Sequence, residues 1–122
     1  MPRVILIEDD GLVRKLLEKR LVSAGHEVIA LPDGRGLQQA LQQGPVDMLL
    51  IDMGLPYGSG LTLVEKVRAQ GISTPIMILT AYELPKLDEM VRSIGANDLL
   101  LKPYDQEVLL ARMDSILARR AA

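Results

Sequence analysis

The stretch VILIEDDGLVRKLL, Val4–Leu17, decides the fold. Its first four residues are apolar without interruption, which suits a strand buried on both faces rather than one with a half-wet, alternating surface. Glu8-Asp9-Asp10 stop the run. Leu12, Val13, Leu16, Leu17 and Leu21 then recur at helical spacing and read as a core-packing stripe. Arg14, Lys15, Glu18, Lys19 and Arg20 between them read as a solvated face. One strand, one acidic turn and one helix follow in order.

The same unit recurs along the chain. Val28–Leu31, Val46–Ile51, Ile76–Leu79 and Leu99–Leu101 are further short apolar runs. Helical-period stripes follow them: Leu37, Ala40 and Leu41; Leu61, Val64 and Val67; Leu87, Met90, Val91 and Ile94; Leu109, Met113, Ile116 and Leu117. Gly25, Gly71 and Gly95 end the first, third and fourth helices, Asp33-Gly34 opens the second, Gly44-Pro45 closes it, and Asp105 caps the fifth. Five strand–helix units predict an α/β fold: a doubly wound, flavodoxin-like five-stranded parallel sheet of order 2-1-3-4-5, with helices on both faces. They are too few for an eight-stranded barrel.

Composition narrows the function. A chain of 122 residues predicts one domain over 1–122. Its formal charge of −2 gives no general attraction to nucleic acid or to an anionic membrane. With no cysteine, disulfides, thiolate zinc sites and cysteine nucleophiles are excluded. With no Phe and no Trp, there is no aromatic platform for stacking bases. The apolar runs are too short to span a bilayer and the first residues lack a signal-peptide layout, so a cytoplasmic protein is expected.

In open α/β sheets, ligands bind beyond the carboxyl ends of the strands, where strand order reverses. The residues ending the runs are Glu8-Asp9-Asp10, Asp52, Thr80-Ala81 and Lys102-Pro103. The predicted order brings Glu8, Asp9 and Asp52 together. Three carboxylates in one crevice repel one another, and Mg²⁺, a hard cation with oxygen ligands, offsets that repulsion. Lys102 supplies a point charge for a phosphate and Thr80 a hydroxyl donor. The set suits a phosphoryl group carried on one carboxylate. Asp10 reads as a helix cap rather than a ligand. His26 reads as an ordinary surface residue, and Gly34-Arg35-Gly36 as a turn opening a helix rather than a dinucleotide fingerprint.

The segments ILIEDD (5–10), LLIDMGLPYGSG (49–60), ILTAY (78–82) and GANDLLLKPYD (95–105) resemble the response regulator receiver domains of two-component signalling, the CheY-like superfamily. The resemblance covers essentially the whole chain. It implies that Asp52 accepts a phosphoryl group from a sensor histidine kinase or histidine phosphotransfer protein. Glu8, Asp9, Asp52 and the backbone carbonyl of Gly54 would hold Mg²⁺, Thr80 would be the switch hydroxyl and Lys102 the phosphate-contacting lysine. It also implies a cis Lys102–Pro103 bond, a first helix that docks the phosphotransfer partner, and an output surface on the fourth helix, fifth strand and fifth helix.

The departures fall on that surface. The family's aromatic three residues before the lysine is Leu99 here, so Tyr82 or Tyr104 is left to substitute. Leu101 stands where a small or hydroxyl residue is common. The last helix is similar to the OmpR/PhoB-type subfamily, in which this surface pairs two active receivers. Asp98 and Arg112 match two of its charged positions, while Val108 replaces an expected glutamate. A haloacid-dehalogenase-type phosphatase would need an aspartate at position 54, which is glycine. A flavodoxin-like cofactor module would need a phosphate loop where Glu8-Asp9-Asp10 would repel one. A degenerate receiver serving only as an interaction module is argued against by Glu8, Asp9, Asp52, Thr80 and Lys102 together.

Overall fold

The computed structural model describes residues 1–53 and 57–121. Five strands alternate with five helices: β1 Arg3–Ile7, α1 Gly11–Ser23, β2 Glu27–Leu31, α2 Leu37–Gln42, β3 Met48–Met53, α3 Tyr57–Ala69, β4 Ile76–Thr80, α4 Leu87–Ser93, β5 Asp98–Leu101 and α5 Gln106–Ala121. Gly34–Gly36 form a 3₁₀ turn leading into α2, as its turn reading implied. The strands make one parallel sheet in the order β2-β1-β3-β4-β5.

The uninterrupted apolar runs are explained by two cores. Residues of alternate parity point to opposite sides of each strand. Val4, Leu6, Met48, Leu50, Met77 and Leu79 pack with Leu17 and Leu21 of α1 and with Leu109, Met113 and Ile116 of α5. Ile5, Ile7, Leu49, Ile51, Ile76 and Ile78 pack with the buried faces of α2, α3 and α4. Aliphatic side chains and methionine make up the buried residues of both layers, with Tyr82 and Tyr104 packed at their margins.

The α1 stripe corrects the sequence expectation. Leu17 and Leu21 are buried, but Leu12 is 70% exposed and Leu16 56%, with Val13 at 39%. Leu12 and Leu17 lie five residues apart, as do Leu16 and Leu21, which is about 140° around a helix. The run therefore contains two faces, and only one meets the sheet.

His26 is a second correction, being buried at 4% exposure. Gly25 adopts φ +96, a region open to glycine. Its N–H donates to Val22 O at 3.0 Å, and that of His26 donates to Leu21 O at 3.1 Å. This Schellman ending folds the residue after the glycine back against the last turn of the helix. Gly71-Ile72 and Gly95-Ala96 close α3 and α4 with the same pair of bonds.

Register aligns the functional edge. Ile7 pairs Ile51, Asp52 pairs Leu79, and Thr80 pairs both Met53 and Leu101. Glu8, Asp52, Thr80 and Lys102 thus leave the sheet along one rim.

Candidate functional site

Glu8 and Asp52 share the parity of the α1/α5 side and meet at the rim. Both are buried, Glu8 at 3% exposure and the Asp52 side chain at 1%. The Lys102 ammonium donates to Asp52 Oδ2 in a close ion pair. The Lys102 backbone N–H donates to Thr80 O at 2.7 Å, tying β5's exit to the end of β4. The Lys102–Pro103 bond is cis.

The pocket holds two buried carboxyl groups and one ammonium. Glu8 Oε1 accepts the Asp10 N–H at 3.2 Å. Glu8 Oε2 and Asp52 Oδ1 are buried with no hydrogen-bond partner among the described residues. Burial foremost, then the Asp52 carboxyl beside it, pushes the Glu8 pKa up to about 8, with Lys102 and the Asp10 N–H pulling the other way. Two buried carboxyl oxygens without partners, side by side in one crevice, fit a small hard divalent cation.

Asp9 is exposed. Among the described residues no three acidic, His or Cys side chains stand close enough together to hold a metal. Gly54, whose carbonyl completes the expected set, lies outside the described residues. Asp10 caps α1, its Oδ1 accepting the N–H groups of Leu12 at 2.9 Å and Val13 at 3.0 Å.

Thr80 is fully buried at the end of β4, and its Oγ1 accepts the Tyr82 N–H at 3.0 Å. Tyr82 and Leu99 are half-buried against the α2/α3/α4 core. At the α4–β5–α5 face, Asp98 Oδ1 accepts from Arg92 Nη2 at 3.1 Å, Arg112 Nη1 at 3.3 Å and the Leu99 N–H at 2.8 Å. Leu84, Met90, Leu101 and Val108 are exposed apolar side chains of this region.

Two residues near the pocket were not singled out there from sequence. Arg14, read as solvated, donates from Nη1 to the Glu8 carbonyl at 2.9 Å. Tyr104 is half-buried against the α1/α5 core, and burial followed by the charges of Asp52 and Glu8 raises its pKa to about 12.

Comparison with known proteins agrees with this geometry. Residues 4–114 match the family described as the response regulator receiver domain. The chain is 36% identical over 121 residues to the virulence transcriptional regulatory protein PhoP of Salmonella choleraesuis, covering 99% of this chain and 54% of that protein. It is 34% identical over 119 residues to the transcriptional regulatory protein PhoP of Escherichia coli, covering 98% of this chain and 53% of that one. The chain therefore spans about half the length of these curated relatives. Among solved structures, the receiver domain of Francisella response regulator 1452 superposes with a TM-score of 0.90 at 25% identity, over 98% of this chain and 99% of that one. The BeF3-activated receiver domain of Klebsiella pneumoniae RstA gives 0.84 at 30% identity, over 94% and 97%. Among the described residues no helix is long and apolar enough to cross a membrane. Fold, rim and relatives converge: the chain belongs to the response regulator receiver domain family of two-component signalling, whose members work as phosphorylation-controlled signalling domains.

Proposed function

We propose that Asp52 is the phosphoacceptor of this receiver domain, taking a phosphoryl group from the phosphohistidine of a sensor histidine kinase or histidine phosphotransfer protein. The supporting observation is the buried Glu8–Asp52 pair, with Lys102 bonded to only one of the Asp52 oxygens. In the transfer, a carboxylate oxygen of Asp52 forms the new O–P bond as the donor P–N bond breaks, and the imidazole leaves. The chemistry depends on alignment and on charge stabilisation more than on covalent help from the protein. The Asp52 carboxylate is fixed by the Lys102 ammonium, which stays beside the transferring oxygens and offsets their charge. Glu8, Asp9 and Asp52, with the Gly54 carbonyl, would hold Mg²⁺, which when bound neutralises the acidic pocket and the incoming phosphate. Thr80 supplies a hydroxyl that donates to a phosphoryl oxygen once it arrives.

The rest of the surface divides the work. Exposed Leu12 and Leu16 on α1 lie between basic side chains and serve as the docking face for the phosphodonor protein. The α4–β5–α5 face, with its apolar side chains around the Asp98–Arg92–Arg112 cluster, is the output surface and the site of homodimer contact when phosphorylated. Incubation with acetyl phosphate and Mg²⁺ should add one phosphoryl mass to the intact protein, and Asp52→Ala should abolish the addition. Retention of the added mass in that variant would move the acceptor elsewhere.

A further inference from the structure

We propose that the cleft between the last turn of α5 and the starts of β4 and β5 binds a small phosphate-bearing anion of the diphosphate class. Ser73, Pro75, Asn97, Ile116, Arg119 and Arg120 line it, around a volume of about 610 Å³. The cleft lies at the amino ends of the strands, away from the Asp52 rim, and is independent of the phosphoacceptor reading.

Helical spacing brings two arginines there. Arg119 and Arg120 follow Ile116 by three and four residues, so the three share one side of α5. Ile116 is buried in the core beneath the sheet, which draws the arginines to the sheet's edge. Arg119 Nε donates to Ser115 O at 3.4 Å, and Arg120 Nη1 to Ser73 O at 3.3 Å. The other N–H groups of both guanidiniums have no protein partner among the described residues.

A third cation stands behind them. Arg68 donates from Nε to Gly95 O at 2.9 Å, from Nη1 to Ile72 O and Thr74 O at 2.8 Å, and from Nη2 to Asn97 Oδ1 at 3.0 Å. Burial, and then the charge of Arg120, lower its pKa. All these acceptors are neutral. Among the described residues no carboxylate pairs with Arg68, Arg119 or Arg120, and none lines the cleft, whereas Arg35, Arg92 and Arg112 each have an acidic partner. In a chain of formal charge −2 this is a local excess of positive charge that repels itself.

The neutral lining adds donors. Asn97 Oδ1 also accepts the Ile76 N–H at 2.9 Å, and its two donors fix which way the amide points. The amide NH₂ is left without a partner among the described residues. Ser73 contributes a hydroxyl. Guanidinium and amide N–H groups only donate, so the complementary ligand is rich in acceptors. A phosphate offers three acceptor oxygens where a carboxylate offers two, and arginine meets it with paired N–H groups. The cleft is larger than one phosphate fills, and Pro75 and Ile116 give an apolar wall for the rest of the ligand.

Asn97 is the only asparagine in the chain, so isotope-labelled asparagine gives a single side-chain amide NMR signal, inside the cleft. The probe is inorganic pyrophosphate, titrated into the intact chain without Mg²⁺ at fixed ionic strength. The signal should shift and saturate, with half-saturation below about 1 mM. Arg119→Gln and Arg120→Gln should each weaken binding about fivefold, the effect of losing one exposed charge pair. Arg35→Gln removes the same charge beyond β2, at the other edge of the sheet, and should leave binding unchanged. The absence of a saturable shift, or equal weakening by all three variants, would overturn the proposal. So would tighter binding of hexa-aspartate than of pyrophosphate, which would make the cleft a site for an acidic protein partner.

Discussion

Arg14, one turn into α1, donates from Nη1 to the backbone carbonyl of Glu8 at 2.9 Å. The helix that presents the exposed leucines is thereby tied to the loop carrying the acidic pair. Asp10 adds a second tie by capping the same helix. Arg14→Ala should lower the free energy of unfolding by about 1 kcal/mol, the ordinary net value of one such bond. Urea titration of the metal-free protein checks this, and an unchanged midpoint would show that water replaces the guanidinium without loss.

The raised Glu8 pKa makes stability depend on pH. The folded protein holds the Glu8 proton up to about pH 8, whereas the ordinary value is 4.5. Between those values the native state binds more protons than the unfolded chain, so stability falls as pH rises through the window. Urea midpoints in the presence of a chelator should decline from pH 5 to pH 8, and Glu8→Gln should flatten the decline. Excess Mg²⁺ should also flatten it, because a cation favours the ionised carboxylate. A midpoint that climbs across this range in chelator would contradict the origin assigned to the shift.

The two faces of α1 should separate stability from partner recognition. Leu21 is completely buried, and Leu21→Ala should cost about 2–5 kcal/mol. Leu12→Ser and Leu16→Ser remove exposed side chains and should change stability by less than about 0.5 kcal/mol. The same two variants should slow phosphotransfer from the cognate kinase while leaving labelling by acetyl phosphate unchanged. Equal slowing with both donors would place the defect in the pocket instead of the docking face.

Asp98 collects Arg92 and Arg112 at a partly exposed surface. Asp98→Ala should therefore cost about 1 kcal/mol or less in the monomer. Its larger effect should be on self-association of the phosphorylated protein, read by sedimentation velocity. If phosphorylated Asp98→Ala associates like the parent, the homodimer contact lies on another face.

The strands were legible because a sheet covered on both sides demands uninterrupted apolar runs, as in Val4–Ile7 and Ile76–Leu79. Glycine punctuation was equally plain. The α1 stripe misled because apolar spacing alone does not say how wide a face the sheet covers, and a five-residue step leaves that face. His26 misled because its burial comes from the helix ending at Gly25, a geometry that hides a polar residue as readily as an apolar one. At the site, strand order and register placed Glu8 beside Asp52. Glu8 follows Val4 and Leu6 inward, as Asp52 follows Met48 and Leu50, whereas Asp9 is exposed. Arg14 escaped because its long side chain turns back along the helix to a backbone carbonyl, an acceptor that no residue pattern advertises.

The most direct measurement is to locate the acyl phosphate itself. After incubation with acetyl phosphate and Mg²⁺, borohydride reduction converts a phosphorylated aspartate to homoserine, which peptide mass spectrometry can place. Homoserine at position 52, absent when Mg²⁺ is chelated, is the predicted result. Its appearance at Asp9 or any other position instead, or equal labelling with and without the metal, would contradict the account.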